Sequence, residues 1–157
     1  MRRDSRLSGI LHVLLHMAEH SGPITSEALG RMMGTNPVVI RRILGGLRDQ
    51  GYVRSDKGHG GGWVLTCDLH QITLRDIYEA IGEPALFAIG HRSEAPDCLV
   101  EQAVNAALDD NLARAREMVL ARMGEVTLAM LSADFHARAA RRGVAFAGDH
   151  AEHGHER

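Results

Sequence analysis

Apolar residues return at spacings of three and four through LSGILHVLLHMAEH, which puts Ile10, Leu11, Leu14, Met17 and Ala18 on one side of a helix. Ser21-Gly22-Pro23 ends it. A shorter helix is predicted over SEALGRMM, with the Thr25 hydroxyl as its cap, Glu27 in the favourable first turn and Gly34 as its stop. In TNPVVIRRILGGLRDQG, Asn36 is a preferred N-cap and Pro37 takes the first helical position, whose amide needs no partner. Val39, Ile43 and Leu47 form one apolar line there, while Val38, Arg41, Arg42 and Arg48 lie largely off it. A short helix, a tight turn at Gly34-Thr35 and a helix with arginines on its free face make a helix-turn-helix pattern.

Two short apolar runs follow, Tyr52-Val53 and Trp63-Val64-Leu65, held apart by a basic, glycine-rich stretch. Directly after a helix-turn-helix, a strand, a pliable basic tip and a returning strand form a winged helix, whose tip reaches phosphates or the minor groove. Glycines let the backbone approach a phosphate and take positive φ. Lys57 and His59 supply donors. Neither GxxxxGKS/T nor GxGxxG occurs, which excludes a phosphate-binding nucleotide loop.

Thr73-Leu74-Arg75-Asp76 reads as a capping-box variant opening a helix through Ile77, Ala80 and Ile81, ended by Gly82. Residues 82–97, with two prolines and two glycines, read as a loop. From Cys98, with Asp97 as its cap, a long helix spaces Val100, Ala103, Val104, Ala107, Leu108, Leu112, Ala115, Val119 and Met123 by threes and fours. A helix of about 25 residues spans ~38 Å, longer than so small a domain needs for its own core. A partner helix is therefore expected over part of the stripe; the alternative is a helix packed wholly within its own chain. Gly124 ends the helix, and Thr127 caps a short turn, LAML.

The expected fold class is mainly α: a winged helix-turn-helix domain over 1–81 with a small two-stranded β-wing, a loop or sensor region over 82–97, and a dimerisation helix with a short terminal helix over 98–135. The small, polar and charged stretch 136–157, which contains histidines, is expected to be disordered.

Composition sharpens this picture. At 157 residues and 45% hydrophobic content, the chain suits one ordinary domain, or a small domain with an appendage. No uninterrupted apolar run of some 18 residues occurs, and MRRDSRL lacks the apolar region of a secretory signal, so a cytoplasmic location without membrane contact is expected. Cys67 and Cys98 are too few for a disulfide scaffold and form no CxxC pair, which fits a reducing compartment. The net charge of -2 conceals an asymmetry: residues 1–66 hold nine Lys/Arg against five Asp/Glu, and the remainder nine against fifteen. A basic N-terminal half on an acidic remainder suggests that one end meets a polyanion.

The succession RILGGLRDQGYVRSDKGHGGGWVL, ITLRDIYEAIGEP, a loop ending in a cysteine before a long helix, and VTLAML resembles the Rrf2 family of bacterial transcription regulators over about residues 1–132. That family includes the iron-sulfur cluster regulator, the nitric-oxide-sensitive repressor and the cysteine-metabolism repressor. The resemblance implies a homodimer joined through the long helix, with two winged helices reading a palindromic operator in double-stranded DNA. The recognition helix falls at about 36–49, for the major groove, and the wing at about 52–66, near the minor groove. Thr25, Ser26, Thr35, Asn36, Pro37, Val38, Arg41, Arg42, Lys57 and His59 form the expected DNA-binding set. Lys57 stands where the family's wing-tip arginine falls; lysine binds phosphate but lacks the planar fork.

Iron-sulfur members carry three cysteines with five residues between them in the loop before the dimer helix. Here the last matches Cys98, while the positions six and twelve before it are Arg92 and Leu86, and a family histidine three residues later falls on Glu101. The standard ligand motif for an iron-sulfur cluster is absent, so no cofactor is expected through it. An atypical metal or cluster site would draw on Cys98 and His12; His12, His16 and His20 share a helix face at i, i+4 and i+8 that either binds metal or lines a groove. His150, Glu152, His153 and His155 offer a further metal-capturing tail. Cys98 beside a helix N-terminus has either a lowered pKa and a role as redox switch, or an unreactive half-buried thiol. Phe87, His91 and Arg92 either line a pocket under the 82–97 loop or belong to an exposed linker.

Three function classes compete. A dimeric DNA-binding repressor, responsive to redox or a ligand through Cys98, leads. A winged-helix module that docks protein or RNA would show little dependence on duplex sequence. An enzyme is disfavoured, because no nucleophile has an orienting base and no metal ligand set is complete.

Overall fold

The structure is a computed structural model, and it describes residues 4–144. Its elements run α1 (Arg6–Glu19), α2 (Ser26–Met33), α3 (Pro37–Asp49), β1 (Val53–Asp56), β2 (Gly62–Leu65), α4 (Leu74–Ala80), α5 (Leu99–Gly124) and α6 (Leu128–Arg141). Among the described residues, four of the six helices start where a side chain satisfies a first-turn amide. The Thr25 hydroxyl accepts from the Ala28 amide, the Asn36 side-chain Oδ1 from the Val38 amide, and the Thr127 hydroxyl from the Met130 amide. At α4 the capping box is complete: the Thr73 hydroxyl accepts from the Asp76 amide at 3.2 Å, and the Asp76 carboxylate accepts from the Thr73 amide at 2.7 Å.

The wing is an antiparallel pair, Val53 facing Leu65 and Asp56 facing Gly62. Its second strand also bridges Ile24, with the Trp63 amide donating to the Ile24 carbonyl at 2.8 Å and the Ile24 amide returning to Trp63 at 3.0 Å. That close approach explains Gly62, where a Cβ would stand 2.6 Å from the Ile24 oxygen.

One apolar cluster joins Ile10, Val13, Leu14 and Met17 of α1 to Leu29, Ile40, Ile43, Leu44, Leu47, Val53, Trp63 and Ile77. Leu128 of α6 is fully buried in the same cluster, and the Leu128 and Ala129 amides donate to Ile72 and Leu69. The C-terminal helix is thus built into the winged-helix body. It is also a full helix to Arg141, longer than the short turn expected, and its end removes 136–141 from the stretch expected to be disordered. Residues 145–157, with His150, Glu152, His153 and His155, lie outside the described residues.

Helix α5 carries apolar residues on two faces. Leu108, Leu112, Leu120 and Met123 are buried or half-buried, whereas Leu99, Val100, Val104 and Met118 are 51–78% exposed. The single stripe expected from spacing is therefore two. Its cap is Cys98, one residue after the Asp97 expected, because Cys98 is the last residue with extended backbone before the helix. The 82–97 loop is tied to α4 and α5 rather than free: the Tyr78 hydroxyl donates to the Pro84 carbonyl at 2.8 Å, Asn105 to Ser93 at 2.9 Å, Gln102 to Pro96 at 2.9 Å, and His91 Nε2 meets Asp109 at 2.9 Å.

Candidate nucleic-acid interface

The turn between α2 and α3 sets the crossing of the two helices. Gly34 takes left-handed backbone at φ 60°, and the Thr35 amide donates to the Gly30 carbonyl at 2.9 Å. At Gly30 a Cβ would meet the Thr35 oxygen at 2.8 Å, so a side chain there would force the turn open. Held in this way, α3 buries Ile40, Ile43, Leu44 and Leu47 and turns the opposite face outward.

The outward face carries Val38, 63% exposed, then Arg41, Arg42 and Gly45, with Arg48 at its end. An apolar residue left open beside two arginines on a helix flanked by a basic wing is a surface shaped for a polyanion. Arg41 is not unattached: its Nη2 donates to Glu27 Oε1 of α2 at 2.5 Å, with both side chains 54% exposed. Arg42 opens on a shallow hollow shared with Arg6 of α1 and with Ala80 and Ile81, and the Arg6 guanidinium is engaged by Asp4 at 2.7 Å. Arg48 faces Asp49 at 3.6 Å. No Cβ neighbour lies within 4 Å of Gly45, whereas a Cβ on Gly46 would stand 2.5 Å from the Ala80 carbonyl oxygen, so α4 packs directly against α3 there.

Lys57 and His59 stand exposed at the wing tip, where Gly58 and Gly60 take φ of 96° and 77°. Behind them, Arg54 is held by Asp56 at 2.9 Å. The expected DNA-contacting residues fall into two groups, the turn and outer face of α3, where Thr35 and Pro37 are half-buried and the others exposed, and the exposed wing tip, with two exceptions. Ser26 is buried, and its hydroxyl accepts the Trp63 indole N–H at 2.9 Å. That bond ties the wing to α2 and engages the Ser26 hydroxyl inside the protein. Thr25 stays exposed, with its hydroxyl accepting the Ala28 amide at 3.2 Å. Sequence reasoning missed Glu27: in the first turn of α2 an acid has a sufficient local explanation in the helix dipole, and nothing in spacing points it at a residue fourteen positions on.

The histidine stripe divides. His12 and His16 have ring centroids 4.6 Å apart and line a cleft of about 300 Å³ with Leu15, Glu19 and Phe135. Across it, His136 Nε2 meets Glu19 at 3.1 Å. Burial, then the neighbouring His12, lowers the His16 pKa below the usual imidazole value. His20 leaves the stripe, because it ends α1 and its Nδ1 lies 3.4 Å from the Gly22 carbonyl. Cys98 is exposed at the start of α5; its sulfur makes no cap hydrogen bond of ordinary length, yet the amides of Glu101 and Val100 turned toward it pull its pKa down. Cys67 is half-buried, and burial raises its pKa. His91 is mostly covered by its pairing with Asp109, Phe87 is half-buried and Arg92 is exposed.

Comparison with known proteins fits this geometry. The family model Rrf2, described as an iron-dependent transcriptional regulator, matches residues 3–134. YwnA of Bacillus subtilis (strain 168), described as an HTH-type transcriptional regulator, is 33% identical over 124 residues, 75% of this chain and 90% of that protein. The crystal structure of a Lactobacillus plantarum protein described as a transcriptional regulator superposes with a TM-score of 0.72 at 26% identity, covering 88% of this chain and 95% of that one. CymR, the global cysteine regulator of B. subtilis, shares the fold with a TM-score of 0.58 at 23% identity, over 85% of this chain and 98% of CymR. The iron in the family's description does not fit the residues present. Arg92 and Leu86 stand where cluster cysteines would fall, Cys67 lies in the loop after β2 and Cys98 at the start of α5, and among the described residues no three His, Cys, Asp or Glu side chains come together to hold a metal. Among the described residues no helix is long and apolar enough to cross a membrane.

Proposed function

The chain belongs to the Rrf2 family of transcriptional regulators, and from that premise we propose that it is a homodimeric, sequence-specific repressor of the genes beside its operator. Two copies pair along the outer face of α5 and present two α3 helices to successive major grooves, with Lys57 and His59 of each wing at the flanking minor groove or phosphates. The observation that carries this reading is the outward face of α3, where Val38, Arg41 and Arg42 lie beside an exposed basic wing while Ile40, Ile43, Leu44 and Leu47 of the same helix are buried. Thr35 and Asn36 at the turn, with Pro37 starting the helix, bring its N-terminal end to the duplex.

Cys98 supplies the response. An exposed thiol with a lowered pKa reacts with peroxide or nitric oxide faster than an ordinary one, and its position at the start of α5 couples its oxidation to the proposed dimer seam.

Selection from randomised duplexes, followed by binding titrations at several salt concentrations, tests the reading. An inverted repeat with half-sites one helical turn or a multiple apart is expected, bound at least ~10³-fold more tightly than unrelated duplex. Equal binding to all duplexes, or preference for RNA, would leave a general interaction module instead. A Cys98→Ser protein whose operator binding responds to peroxide and nitric oxide as the wild type does would remove the redox role.

A further inference from the structure

We infer that Glu27 is a positioning residue for recognition: it fixes Arg41 in the orientation that reads a guanine edge. The inference rests on the DNA-reading proposal and deepens it. Glu27 and Arg41 belong to different helices, α2 and α3, and meet at 2.5 Å through one carboxylate oxygen and Nη2. Both side chains are 54% exposed, so the pair contributes little to the stability of the fold. Its consequence lies in where it leaves the guanidinium.

A guanidinium has five donors in a rigid fork. Each of its two bidentate edges uses Nη2, one with Nε and the other with Nη1, so a single bond from Nη2 to Glu27 occupies one edge and leaves the other, on the face of α3 that turns away from the core. Guanine presents two acceptors, O6 and N7, spaced for such a fork. An arginine held at one nitrogen is restricted to fewer rotamers before it binds, so ordering it at a base costs less. Without the pin, the same arginine swings to the nearest phosphate, which carries no sequence information. The carboxylate acts a second way. On α2, the helix that crosses the DNA backbone, a bare negative charge opposes binding, and Arg41 neutralises it. Glu27 therefore lowers affinity for DNA in general and raises selectivity, the pattern by which a specific site is distinguished from its competitors.

The test compares full-length wild-type protein with E27A, E27Q and R41A in selection from randomised duplexes and in salt titrations on the selected site. In E27A, preference for guanine at one position of each half-site is expected to fall about tenfold, within the range of a bidentate base contact. Binding to unrelated duplex is expected to strengthen, and the slope of log K against log salt to steepen by about one as Arg41 takes up a phosphate. R41A loses the same base preference without the steeper slope. E27Q, which keeps an acceptor but not the charge, retains most of the preference and serves as the reference should E27A fold poorly. A fold-stabilising role alone would lower the melting temperature and leave the base profile intact. If the wild type selects a sequence and both E27A and E27Q keep its profile while R41A loses it, the inference is overturned and the repressor reading stands. If the wild type selects no sequence, both fall.

Discussion

Gly45 and Gly46 are neighbours in sequence with opposite reasons for being glycine. On the core side, a Cβ at Gly46 would strike the Ala80 carbonyl, and backbone cannot move aside cheaply. Gly46→Ala should therefore destabilise the fold by about 1–3 kcal/mol, as overpacking does. Gly45 has nothing within 4 Å and pays the helix-interior cost of glycine with no packing return. Gly45→Ala should stabilise by about 0.5–1 kcal/mol, raising the melting temperature by roughly 2–4 °C, while weakening operator binding by filling space against the groove. Thermal melts and binding titrations on the two variants separate these roles; weaker melting in both would mean that Gly45 is a packing residue as well. The two cysteines diverge in the same manner. The Cys98 pKa lies below the ordinary thiol value and that of Cys67 above it, so as pH rises the Cys98 thiolate forms first. Alkylation followed by mass spectrometry from pH 6 to 9 should label Cys98 before Cys67 at every pH, and equal rates would count against the amide effect. The position of Cys98 before a long helix is legible in the sequence and already points to a lowered pKa, whereas the GG pair carries no sign of what faces each glycine.

At the scale of elements, the sequence was most informative at helix starts. Thr25, Asn36, Thr73 and Thr127 all cap as their identities suggest, because capping is a local bond between a short polar side chain and an amide two or three residues on. It was least informative where the partner is distant. The Ile24–Trp63 bridge holds the wing to the segment before α2, and the Trp63–Ser26 hydrogen bond reaches across 37 residues to a serine that is buried. Replacing Ser26 by alanine strands a buried indole N–H. A loss of about 1–3 kcal/mol of stability is expected, with the salt dependence of DNA binding unchanged once the protein is held well below its melting point. A shallower salt slope in that variant, read by anisotropy on the selected site, would return Ser26 to the phosphate contacts.

For the whole molecule, the informative element is α5. Residues spaced by threes and fours drift around a helix, so a run with two apolar faces looks in sequence like one broad stripe; only the fold shows that Leu112 and Leu120 turn inward while Val100, Val104 and Met118 remain in solvent. Leu99, Val100, Val104 and Met118 give this helix of 26 residues an exposed apolar face. In the proposed dimer that surface is the seam, and it also fixes the distance between the two α3 helices. Val104→Glu combined with Met118→Glu puts charge on the seam without touching the core. The fold of each chain should keep its melting temperature nearly unchanged, since both positions are exposed. Sedimentation equilibrium should show a wild-type mass of twice the chain and a variant mass of one. Operator affinity should fall by about 10²–10⁴-fold, because the second half-site is no longer delivered at high effective concentration. A variant that stays dimeric and binds its operator as before would place the seam elsewhere, and the exposed residues of α5 would then need another occupant.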